Sequence, residues 1–215
     1  MASSLRRTLV RHTYVELLLD FSKIFSILLF QYHFPVILII KNKSHMPTKP
    51  SPTTYPEYFK RYVDQVPEED LSTAFINQLP VIKEFLATIT EEKSMHAYEP
   101  FKWTIKELLQ HMIDTERIFN YRALAIARKE TASLPGFDEN LYADNSNANN
   151  RTWQNLIDEF LAVRSSTEFL YNSFTDEALA ASGISNNKPV TVSSLGFITV
   201  GHIYHHKKIM EERYL

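Results

Sequence analysis

The chain has 215 residues, a formal net charge of −2, four glycines and no cysteine. That length favours one domain with extensions over two full domains, and scarce glycine beside plentiful Leu, Ile, Ala, Glu and Lys suits helices better than a turn-rich β architecture. Without cysteine there can be no disulfide, thiolate ligand or cysteine nucleophile, which leaves histidine and carboxylate as the side chains able to hold a metal.

The charge is unevenly placed. Residues 1–45 hold six of the 23 Lys and Arg and two of the 25 Asp and Glu, so 46–215 carries a net charge of −6. An acidic body repels phosphate backbones, which argues against nucleic acid as a partner. Within the leader, Phe21 to Ile40 is dominated by apolar residues and is long enough to cross a bilayer at roughly 20 residues per span. Lys23, Gln31, His33 and Pro35 interrupt it, and polar side chains are costly in hydrocarbon. A cleaved signal peptide fits poorly, because Glu16 and Asp20 precede the apolar run and no small-residue cleavage site follows it. The abrupt change in composition points to a translation start at Met46 and a cytoplasmic protein, with a membrane anchor over 21–40 as the alternative. Residues 46–66 then read as a proline-rich linker, with Pro47, Pro50, Pro52 and Pro56 followed directly by Pro67. That density favours an extended, poorly ordered lead-in, although Tyr55 to Val63 carries aromatics able to pack onto the body.

Four helical patterns fill 67–215. The first runs from about Glu68 to Ile89 through Leu71, Phe75, Leu79, Ile82, Phe85 and Leu86, and Pro80 inside it should kink or interrupt it. The second opens with the Thr104-x-x-Glu107 spacing of a capping box, with Trp103 and Leu108 placed as its hydrophobic staple, and continues to about Lys129. The third runs from near Thr152 to Phe174 with Trp153, Leu156, Ile157, Phe160, Leu161, Leu170 and Tyr171 at core spacing. The fourth spans about Ser193 to Glu212. No strand alternation competes, so the expected fold is all-α, a four-helix bundle. The connection over about 130–150 is long enough to travel back along a helix of roughly 30–40 Å, which leaves parallel neighbours open.

The fourth pattern contains Gly201-His202-Ile203-Tyr204-His205-His206. At about 100° per residue, Leu195, Ile198, His206, Ile209 and Arg213 fall within about 40° of His202, so His202 and His206 interrupt an otherwise apolar stripe. Imidazoles buried there need partners. A metal ion is one, since the i,i+4 pair points two rings at one spot and His111 of the second helix offers a third. Purely structural histidines, hydrogen-bonded to carboxylates, are the other reading. His205 stands about 60° to the other side, as a substitute for His206 or a solvent-facing residue. Glu107 and Asp114 flank His111 and could orient it or handle protons, but the capping box and a pair with Arg117 already account for them, and neither is assigned a catalytic role. His12, His33, His45 and His96 are background.

These motifs resemble the DinB-like superfamily of metal-binding four-helix bundles. The resemblance rests on Lys102-Trp103-Thr104-Ile105-Lys106-Glu107-Leu108-Leu109-Gln110-His111 running on to Arg117, on Leu134-Pro135-Gly136-Phe137-Asp138, and on Gly201 to His206 running into Glu212-Arg213-Tyr214-Leu215. It covers roughly Pro67 to Leu215; residues 1–45 have no counterpart, and Pro80 is unusual for the first helix. It implies an up-down-down-up helix order and a divalent metal, zinc, nickel, iron or manganese, on His111, His202 and His206. It also implies thiol-dependent S-transferase chemistry with a low-molecular-weight cosubstrate such as bacillithiol or mycothiol, or metal-dependent hydrolysis. A non-catalytic metal-binding stress protein is the reading from another class. A small-molecule substrate is the expected partner, with self-association as a homodimer beside it.

Overall fold

The computed structural model describes residues 48–215. The four expected helices are α1 (Leu71–Ala87), α2 (Ile105–Ala127), α3 (Trp153–Asn172) and α4 (Val192–Ile209). Each begins on a polar cap: Asp70, Thr104, Thr152 and Thr191 accept a hydrogen bond from a backbone N–H in the first turn. The capping box at α2 is complete, with Thr104 N donating to Glu107 Oε2 at 2.8 Å and Glu107 N to Thr104 Oγ1 at 3.1 Å. Helix α4 ends in a π-helical turn, Met210–Tyr214.

Side-chain contacts give the direction of each helix. Between α2 and α3, Gln110 meets Arg151, Glu116 meets Arg164 and Asn120 meets Thr167, so both run the same way. Phe75 packs on Tyr171 while Leu86 O accepts from Trp153 Nε1, which makes α1 antiparallel to α3. Gln78 donates to Val200 O and Lys207 lies over Phe85, so α1 and α4 are parallel. The order is up-down-down-up, and the connection from α2 to α3 is the long crossover this requires. It carries a short helix, Glu139–Asn145.

Three sequence expectations need correction. Pro80 does not interrupt α1, which runs unbroken to Ala87. Pro80 and Ile76, whose carbonyl loses its i+4 donor, both lie on the exposed face, where water can take that donor's place. Strands are present: Ser182–Ser185 and Lys188–Thr191 pair antiparallel across Asn186 and Asn187, both at positive φ (48° and 60°), the mark of a tight two-residue hairpin turn. The proline-dense lead-in is folded rather than extended from Thr48 on. Short 3-10 turns at Pro52–Thr54 and Glu57–Phe59 precede a helical turn, Lys60–Val63. Tyr55, Tyr62, Val63 and Val66 are buried. The apolar run Phe21–Ile40 lies outside the described residues, and among those described no helix is long and apolar enough to cross a membrane.

Among the described residues the core forms two clusters. One is built around Leu71, Phe75, Phe119, Tyr171 and Phe197, the other around Leu86, Leu109, Met112, Trp153, Phe160 and Met210. Val200 belongs to the first and Ile203 to the second, so α4 passes from one to the other at His202.

Candidate metal centre

At that seam three histidines converge. His202 Nε2 is 3.2 Å from His111 Nε2 and 2.9 Å from His206 Nε2, and one nitrogen from each of the three lies within 4.8 Å of the others. Ligand nitrogens bound at about 2.0–2.1 Å to a tetrahedral ion stand roughly 3.3 Å apart. Two of the three spacings match such a centre and the third lies within 4.8 Å, so a small rotation of the His111 or His206 ring would let all three nitrogens reach one ion. His202 and His206 are buried and His111 half-buried. Burial pushes His111 down to about 4. Burial first, then the neighbouring rings and Arg61, holds His202 and His206 well below the usual histidine range. All three are therefore neutral near pH 7, as ligation requires. His206 Nδ1 is buried without a hydrogen-bond partner, so packing against its neighbours, not a carboxylate, sets that ring's orientation.

The two carboxylates near His111 are occupied elsewhere. Glu107 caps α2 and accepts from Asn149 Nδ2 at 2.9 Å. Asp114 accepts from Gln110 Nε2 at 2.9 Å and faces Arg117 at 3.7 Å. His205 turns aside to Gln65, its Nδ1 lying 3.3 Å from Gln65 Nε2.

The histidines border a cavity of about 510 Å³. Trp103 is tilted against His111 at 4.9 Å between ring centroids, and Tyr62 meets His202 edge-on at 5.3 Å. Phe119 lies 6.1 Å from His202 on another side. The crossover adds Gly136, Phe137 and Glu139 to the lining, and the hairpin adds Ser185, Asn186 and Lys188. Among the described residues Glu139 is the only carboxylate in the lining, against Arg61, Arg122 and Lys188. Thr115, one turn after His111, also lines the cavity, and its Oγ1 is buried without a partner.

Arg122, a wall residue, was within reach of sequence reasoning and went unread. Arg122 follows His111 by 11 residues, which returns to within about 20° of the same helix face. Thr115 falls on that face too. Tyr62 had no such signal, because it reaches the site by docking a separate segment on α4. Gly201 permits that approach: a Cβ there would stand 2.1 Å from Tyr62 O.

A histidine-lined, up-down-down-up four-helix bundle with an ion-sized gap between α2 and α4 defines the class. The chain belongs to the DinB superfamily, whose family model matches residues 57–210. Among solved structures, YfiT from Bacillus subtilis, described as a probable metal-dependent hydrolase with an unusual four-helix bundle topology, shares the fold. The TM-score is 0.58 at 15% identity, over 77% of this chain and 91% of that one. No curated protein matches the chain.

Proposed function

We propose that His111, His202 and His206 hold one divalent ion and that the protein is an S-transferase, joining an external low-molecular-weight thiol to a small electrophile. The observation that carries this is three neutral imidazoles converging on one point beside an organic-sized cavity. When bound, the ion supplies Lewis acidity, stabilising an anionic thiolate or lowering the pKa of water in the open position. Three neutral ligands leave its charge of +2 uncompensated, and Arg61 adds to the field that favours an anion there. Trp103, Tyr62 and Phe119 keep bulk water from the reacting atoms. In the transfer, the sulfur–carbon bond forms at the acceptor, whose leaving group departs with its electron pair while the thiol proton goes to solvent. A chain without cysteine takes its sulfur from that cosubstrate.

Hydrolysis of a small substrate at the same centre is the second reading, favoured by the description of YfiT. Among the described residues, Glu139 and His205 are the lining groups that could act as its general base. Metal-loaded protein is assayed against electrophilic acceptors with and without a small thiol. Turnover that needs the thiol and disappears in His202→Ala is expected. Equal turnover without thiol overturns transfer in favour of hydrolysis, and no turnover across a broad panel overturns both.

A further inference from the structure

Arg122 is the least explained charge in the fold. It is 5% exposed, yet among the described residues no carboxylate lies within 4.0 Å of it. Its hydrogen bond runs from Nη2 to Pro135 O at 2.8 Å. The other deeply buried arginine behaves differently: Arg164, 1% exposed, faces Glu116 at 3.0 Å. A guanidinium has five N–H donors and stays charged in proteins, so burying one with a single carbonyl acceptor is unfavourable unless something else joins it.

The surroundings say what that is. Arg122 lines the cavity, and among the described residues none of its nitrogens is both sealed from solvent and unpartnered, so the N–H groups not bonded to Pro135 remain reachable by a ligand. The rings of Phe119 and Phe137 lie 5.8 and 6.0 Å from Cζ. A guanidinium fork matches a carboxylate, which it can grip through two parallel N–H···O bonds. Lys188 and Arg61 at the rim add a field that draws anions in. Phe119 is the shared neighbour of Arg122 and His202, at 5.8 Å and 6.1 Å. The two groups are thus no further apart than those distances combined, a span a molecule of several heavy atoms bridges.

We propose that Arg122 anchors a carboxylate of the small-molecule substrate, beside Phe119 and Phe137, and so turns the other end of that molecule toward His111 and His202. The carboxylate site stands by itself; only the placement of the reacting end rests on the metal-dependent function proposed above.

The probes are monomethyl succinate and dimethyl succinate, which differ in one carboxylate. Each is titrated calorimetrically into the full chain, stripped of metal and loaded with zinc. The half-ester should bind at least about tenfold tighter than the diester in both forms. Arg122→Gln should bring that ratio close to one. Arg122→Lys, which keeps the charge without the fork, should retain part of it and covers the case in which the glutamine variant does not fold. Lys188→Gln, at the exposed rim, should change it by less than about threefold. Equal binding of the two esters to wild-type protein, or no binding of the half-ester, overturns the proposal. So does a preference that needs zinc and survives in Arg122→Gln, since the carboxylate would then sit on the ion. Failure of the metal reading shows separately, as absent zinc with the metal-free preference intact.

Discussion

Gly201→Ala tests how the N-terminal segment closes the site. A methyl group at this position stands 2.1 Å from Tyr62 O and 2.4 Å from Tyr62 C, where ordinary contact begins near 3.4 Å. The obstacle is backbone, so no rotamer change relieves it. The Lys60–Val63 turn must retreat by more than about 1 Å, at an overpacking cost of about 1–3 kcal/mol. Full undocking would cost more, because Tyr62 and Val63 are buried and each contributes about 1.5–3 kcal/mol when removed from water. Against this, alanine favours the helix over glycine by about 1 kcal/mol. A shift rather than undocking is the cheaper response, with a net loss of up to about 2 kcal/mol and a fall in Tm of up to about 8 °C. Because the Tyr62 ring covers His202, the same shift should speed removal of bound metal by a chelator. Circular dichroism melts of the metal-free protein and chelator kinetics of the loaded protein measure both effects. A Tm at or above wild type with an unchanged chelator rate would refute the reasoning.

Two further outcomes follow from buried charge. Arg164→Met leaves Glu116, 1% exposed, without its cation and should destabilise by about 3–5 kcal/mol; adding Glu116→Gln should recover part of that loss, and strictly additive effects in the double variant would contradict the coupling. Acid should weaken the metal-free protein. Burial holds His111 at about 4 in the folded state, while an unfolded histidine titrates near 6.5, so between those values only the unfolded chain takes up the proton. Stability is then full above pH 6.5 and falls by up to about 1.4 kcal/mol per pH unit for His111 until pH 4. His202 and His206 shift in the same direction and steepen the fall. Calorimetric melts between pH 7.5 and 4.5 measure this, and a flat Tm contradicts it.

The helices were legible because local chemistry and tertiary packing agree there. The Thr104–Glu107 box, the apolar spacing of α3 and the His202–His206 pair all lie within single helices, where a period of 3.6 residues carries the information. What went unread depends on contacts between distant segments or on backbone detail. The Asn186–Asn187 turn gives little alternation to detect, since each strand has only four residues. The prolines at 52 and 56 fit the starts of 3-10 turns, where no N–H donor is lost, so a composition that suggests extension folds here instead. Tyr62 becomes part of the site only through its approach to Gly201. Arg122 shared a helix face with His111 in plain view, but a lone arginine on a helix reads as solvated until its burial is known.

Metal content tests the central claim most directly. Untagged wild-type protein and the variants His111→Ala, His202→Ala and His206→Ala are purified alike, loaded with zinc, desalted and analysed for bound metal per chain. One ion in the wild type and strong loss in each folded variant is the expected result, since each ring supplies one of three nitrogens grouped within 4.8 Å. Stoichiometric metal in all three variants, or none in the wild type, would contradict the account.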